Sequence, residues 1–168
     1  MQVRGGMVRH VVVDTDLGYD AIMKEIERLS ESTLLVGIQE KAKTKSQSKG
    51  GRSQKAGDSV AEYAAKNEFG DSKTPERSFI RSSFDQNINR IENITADQYG
   101  KVIDRQMSLQ NALGNIGQVM VGLIKTKIRS IQSPPNSPAT IAIKKSSKPL
   151  IDFGQMFASV TYAIRTKK

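Results

Sequence analysis

The sequence predicts an α+β domain, a small and mainly antiparallel sheet covered by helices. Short β-branched or alternating apolar runs near residues 8–13, 34–38 and 158–166 have the character of strands. Between them, apolar residues recur at intervals of three and four, the spacing of one helix face, near 17–30, 59–68, 78–91 and 97–132. The length of 168 residues fits one domain, 1–168, built on a single core. That core must be aliphatic, because isoleucine is plentiful, tryptophan is absent and aromatics make up 5% of the chain.

Met7 to Val13 is apolar and β-branched towards its end, and Asp14 terminates it as a strand. Tyr19, Ile22, Ile26 and Leu29 then step along one face of an amphipathic helix. Asp14 or Asp16 is placed to cap its start, and Arg28 suits the negative end of its dipole. Leu34 to Ile38 reads as a buried strand. Residues 41–57, almost wholly Lys, Ser, Gln and Gly, bury too little apolar surface to offset the entropy of ordering, so a flexible basic loop is expected there.

Ser59 followed by Glu62 makes a capping box for a short helix carrying Val60, Tyr63 and Ala64, which Gly70 can close. After Pro75, the spacing of Ile80, Phe84, Ile88 and Ile91 predicts a helix over 78–91. Thr95 and Gln98 offer a further capping box. From Tyr99 an apolar stripe then runs to Ile131, which makes 97–132 the longest helix, roughly 50 Å at ~1.5 Å per residue. Gly114, Gly117 and Gly122 within it mark a kink or a close contact. Pro134, Pro135, Pro138 and Pro149 bracket a Pro/Ser/Lys-rich stretch, 133–149, expected to be a long loop. Val160, Tyr162 and Ile164 alternate with polar neighbours, as in a half-buried strand.

With no cysteine, disulfides and thiolate metal sites are excluded, which suits a reducing cytoplasm. No apolar run approaches a membrane span, and the N-terminus lacks the order of a signal peptide, so an unexported, soluble chain is expected. The formal charge of +9 is unevenly distributed. Lys41, Lys43, Lys45, Lys49, Arg52 and Lys55 stand with no acid between Glu40 and Asp58, and bases dominate again from Lys125 onward, Lys144, Lys145 and Lys148 among them. Such patches favour nucleic acid or acidic protein surfaces, and these nine residues are the candidate interface or DNA contacts.

Motifs for catalysis are weak. Asp152-Phe153-Gly154 spells the metal-binding triplet of protein kinases, but no Gly-rich phosphate loop and no His-Arg-Asp catalytic loop accompany it. The triplet reads better as a turn in which Asp152 caps the segment from Gly154 to Ala158. Gly50 to Gly57 fails the Gly-x4-Gly-Lys-Ser/Thr order of a phosphate loop. His10 is the only histidine, and Asn93-Ile94-Thr95 is a sequon without use in an unexported chain. No catalytic residue, metal site or cofactor is assigned, and the chain is not expected to be an enzyme.

Two strings carry a resemblance. The first runs from Val60 through Asn67-Glu68-Phe69-Gly70 to Pro75-Glu76-Arg77-Ser78-Phe79-Ile80-Arg81. The second runs from Asn136-Ser137-Pro138 through Pro149-Leu150-Ile151-Asp152 to Gly154-Gln155. Together they resemble the neck and tail-completion proteins of long-tailed bacteriophages, which also join head to tail. The chain departs from that pattern at Phe153, where a small polar residue is usual, at Met156, where leucine is usual, and in the longer, more basic stretch 41–57.

The resemblance implies a structural virion subunit, made in the host cytoplasm, that forms a homo-oligomeric ring around an axial DNA channel. Its partners would be the head-side connector and the tail-terminator or tail-tube proteins, with possible contact to DNA and none to membrane. Within the strings Phe69, Phe79 and Phe84 are expected to be apolar anchors, Asp152 and Gly154 to shape the late turn, and Arg77 and Arg81 to pair with Glu68 or Glu76. The alternative is a basic nucleic-acid-binding protein, favoured by a pI near 9.8 but lacking a DNA-reading motif and the aromatics needed for stacking.

Overall fold

The computed structural model describes residues 18–49, 52–54, 56–57 and 59–166. The expected strand near 8–13, the capping residues Asp14 and Asp16, His10 and Lys55 lie outside them. The described residues form an α+β fold of seven helices and two small antiparallel sheets.

Helix α1 spans Tyr19–Glu31, with Gly18 in a left-handed conformation at its N-cap. Arg105 donates from Nη2 to the Gly18 carbonyl at 2.8 Å, and a Cβ at Gly18 would collide with that guanidinium. Strand β1, Ser32–Ile38, follows directly and pairs with the last strand, β4, Val160–Thr166, in a register that sets Leu34 opposite Ile164 and Ile38 opposite Val160. The two expected strands are thus present and adjacent. Within the stretch 41–57, read from composition as irregular, β2 (Gln47–Lys49) and β3 (Arg52–Gln54) pair as a hairpin. Lys43 bridges to Ser59 just before them.

Helix α2, Val60–Phe69, begins and ends where the sequence places it. The Ser59 hydroxyl accepts from the Glu62 N–H at 3.2 Å, and Gly70 at φ 76 returns its N–H to the Lys66 carbonyl. The next two helices differ from expectation. The apolar run 78–91 breaks at Gln86 and Asn87 into α3, Arg81–Asp85, and the start of α4, Ile88–Ile103, so Thr95 lies inside a helix and caps nothing. The long helix expected over 97–132 is likewise two. α4 ends at Ile103, the chain reverses through Asp104–Ser108 with Arg105 at φ 58, and α5 runs from Leu109 to Ser130 with the Ser108 hydroxyl accepting from the Asn111 N–H. At 22 residues α5 is about 33 Å long.

Helix α6, Pro138–Lys144, occupies the middle of the stretch read as a proline-rich loop. Ser137 caps it, Pro138 supplies the fixed φ of a first turn, and Lys145 closes it left-handed at φ 53. Helix α7, Gln155–Ser159, has Gly154 at its N-cap with φ 78, so a glycine turn opens it just after Asp152.

α5 is the spine. Near its start Leu109, Ala112 and Leu113 pack with Val102, and half-buried Leu29, Leu34 and Ile164 close over them. Near its end Ile124 and Ile128 pack with Val60, Ala64, Phe79, Leu150, Met156 and Val160. Between the two clusters β4 lies flush on the helix at Gly117. A Cβ there would stand 2.6 Å from Cγ of Tyr162, which settles that glycine as a close contact.

Candidate functional site

The two strings that carry the resemblance meet in one place, and hydrogen bonds from buried polar groups bring them together. Glu68, at the end of α2, is buried. Its Oε2 accepts from the backbone N–H groups of Phe79 at 2.7 Å and Ile80 at 2.8 Å, while Oε1 accepts from the N–H of Arg81 at 2.9 Å and the hydroxyl of Ser78 at 2.8 Å. The carboxylate thereby satisfies the donors that open α3, which that helix's own backbone cannot. Burial pushes the Glu68 pKa up, but the N–H groups of Ile80 and Arg81, the Ser78 hydroxyl and the Phe79 N–H outweigh it and hold the carboxyl below its ordinary value.

Arg77 does for the second string what Glu68 does for the first. Its backbone N–H donates to the Asn67 carbonyl at 2.7 Å. Its guanidinium donates to the carbonyls of Pro134 at 2.7 Å and Pro135 at 3.0 Å, and more distantly to Oδ1 of Asn136. Asn136 passes the link on by donating to the Lys148 carbonyl, and Lys144 donates from Nζ to the carbonyls of Lys148 and Pro149. Arg77 therefore pairs with neither Glu68 nor Glu76, because carbonyls left exposed by two prolines outcompete a carboxylate already saturated by backbone donors. Arg81 does pair with both acids, at 3.4 Å to Glu68 and 2.5 Å to Glu76.

Phe79 is fully buried and Phe84 half-buried against the same core, in line with their expected role as anchors. Phe69 is 64% exposed, which corrects its assignment as an anchor. Its ring lies 5.2 Å under the Arg81 guanidinium, a surface cation–π contact. Leu150 is buried, and half-buried Asp152 borders a pocket of about 180 Å³ with Tyr63, Thr44 and Gln155. The side-chain amide of Gln155 bonds the backbone of Lys45 in both directions, accepting from its N–H at 2.5 Å and donating to its carbonyl at 2.6 Å. The late turn is thus stitched to the basic stretch.

The basic candidates divide. Lys41, Lys43, Lys45, Lys145 and Lys148 are exposed, and Lys45 and Lys148 flank the 149–155 segment. Lys144 is instead engaged with backbone carbonyls. Lys49 and Arg52 face each other in the hairpin register. Within the basic run that the sequence shows from Lys125 onward, Lys125 and Arg129, near the end of α5, lie over the Phe157 ring at 5.4 and 4.5 Å. Their spacing of four on a helix was legible, but their aromatic partner from α7 was not. Among the described residues no group of three His, Cys, Asp or Glu side chains is placed to hold a metal ion, and no helix is long and apolar enough to cross a membrane.

No protein-family model, curated protein or solved structure matches the chain.

Proposed function

We propose that the chain is a structural subunit of a bacteriophage neck, which completes the upper end of the tail and joins it to the DNA-filled head. One observation supports this reading above the rest. The two strings that resemble neck and tail-completion proteins meet where Arg77, on the turn that Glu68 holds, donates to Pro134, Pro135 and Asn136, and Asn136 donates on to Lys148, which interlocks them. In that turn the buried charged and amide side chains bond backbone groups, the behaviour of residues that hold a shape rather than turn over a substrate. Its surroundings offer contact surfaces: exposed Phe69 under Arg81, and exposed lysines along 41–45 and at 145 and 148.

The test is reconstitution. Purified protein added to separated heads and tails from a phage defective in this gene should restore joined, infectious particles. Failure to restore joining, with folded protein and with heads and tails that a wild-type extract can join, would contradict the reading.

A second reading, nucleic-acid binding, rests on the exposed lysines. In it, DNA affinity would fall steeply with salt through counterion release, and Lys41→Ala, Lys43→Ala and Lys45→Ala would each flatten the salt slope by about one. In the neck reading these changes leave particle joining dependent on protein contacts, with little salt slope.

A further inference from the structure

Helix α1 buries none of its residues fully, although its sequence is strongly amphipathic. Half-buried Ile22 and Leu29 turn towards the body, and Leu29 joins the cluster at the start of α5. Tyr19, Met23 and Ile26, at spacings of four and three, form a second apolar row that stays 67%, 44% and 44% exposed. Beside that row Asp20, Glu27 and Glu31, with Lys24 among them, form a net acidic row, and all four are exposed. An apolar row edged by charge is the form of a helix that docks into a groove.

The same chain carries a groove of the opposite character. The sheet formed by β1 and β4 is covered on one face by α5, which meets both strands. A two-stranded sheet is marginal alone and gains from a cover on each side. On its other face, an open groove of about 380 Å³ has Leu35, Gly37, Thr161 and Ala163 along its floor. Small residues leave room there for incoming side chains, and Leu35, 39% exposed, gives an apolar contact at the middle. Arg165 stands at one end of the groove, and Lys41, with Glu40 beside it, at the other, so the groove is net basic by one charge. The lengths agree: α1 spans about 20 Å at ~1.5 Å per residue, and seven strand residues span about 23 Å.

We infer that the exposed row of α1 in one copy docks in the β1–β4 groove of a second copy, with Asp20, Glu27 and Glu31 facing Lys41 and Arg165. The occupant is taken to be a second copy because helix row and groove are complementary in apolarity and length and opposite in net charge, the row net acidic and the groove net basic. The inference takes self-assembly from the neck reading and gives it a contact. Donor and acceptor are different surfaces, so repeated docking runs head to tail, the kind of contact that closes into rings.

The experiment pairs a helix variant, Met23→Asp with Ile26→Asp, with a groove variant, Leu35→Glu with Ala163→Glu. All four side chains lie at the surface or half-buried, and circular dichroism melting checks that each variant keeps the parental fold. Sedimentation of the full chain at high-micromolar concentration is the readout. The parent should self-associate and each variant alone should be monomeric. A mixture of the two should form a one-to-one pair and stop there, because only one good helix row and one good groove remain. Arg165→Glu, a milder change, should weaken parental association about tenfold, equal to ~1.4 kcal/mol.

A parent that forms larger closed oligomers supports both the docking and the ring. A parent that stops at two copies, with the same behaviour of the variants, keeps the docking and contradicts the ring. Variants that associate as the parent does, or a mixture of folded variants that stays monomeric, would overturn the docking. A parent that stays monomeric at that concentration would also overturn it.

Discussion

Glu68 takes three backbone N–H bonds and the Ser78 hydroxyl bond from the 78–81 turn, with the Arg81 guanidinium beyond, and replacing one oxygen by an amide sets a donor against donors. Glu68→Gln should therefore cost about 2 kcal/mol or more, in the range for a buried polar group left badly paired. The pH dependence follows from the direction of its pKa. A carboxyl held below its ordinary value in the folded state stabilises fully above the unfolded value, and loses that contribution as pH falls through the folded one. The difference in melting temperature between parent and Glu68→Gln should shrink as pH is lowered below the usual carboxylate range; a constant difference would separate the stabilisation from the charge. The phenylalanines give a second contrast. Phe79→Ala should cost about 3 kcal/mol or more, as large-to-small changes in a core do, whereas exposed Phe69→Ala should cost about 1 kcal/mol or less, measured by urea unfolding. The sequence shows both rings beside a Gly/Pro turn and cannot tell them apart. What separates them is the direction each leaves the turn, which Glu68 sets by fixing the backbone of Phe79.

At the scale of elements, local signals are legible wherever one residue type dictates the geometry. Ser59 with Glu62 opens α2, Gly70 closes it, and the alternation of Val160, Tyr162 and Ile164 marks β4. The reversal at 104–108 was not legible for a physical reason. It contains neither glycine nor proline, Arg105 adopts the left-handed conformation, and Val102 before it and Leu109 after it enter the same buried cluster, so the apolar stripe continues across the break. Helix α6 had a legible start in Ser137-Pro138, but two preceding prolines and the lysine-rich sequence after it weighed the reading towards loop. The glycines of α5 test the packing directly. Gly117→Ala would drive a methyl into Tyr162 and should destabilise by roughly 1–3 kcal/mol through overpacking, while Gly122→Ala, with open space around it, should be neutral or stabilising by up to about 1 kcal/mol. Thermal unfolding of the two variants would check the contrast, and equal effects would contradict the close approach of α5 and β4.

Over the whole molecule, α5 separates two surroundings. At its start sit α1, with its exposed apolar and acidic rows, and the free end of the β1–β4 ladder at Ser32 and Thr166; at its end sit the interlocked turn, the Phe157 cations and the exposed lysines of 41–45 and 145–148. The resemblance strings lie wholly at the second end, so their agreement with one another was legible in sequence as order and spacing, whereas the α1 row and the sheet groove needed three dimensions to be recognised. A chain with contact surfaces at both ends of a rigid spine suits a piece interposed between two others, and such a piece acts all or none when many copies engage together. The most direct measurement is electron microscopy of the lysate from a phage lacking this gene. The neck reading expects DNA-filled heads and separate tails with few joined particles. Empty heads bearing normal attached tails would point to packaging and to the nucleic-acid-binding alternative, and normal infectious particles would contradict the neck assignment outright.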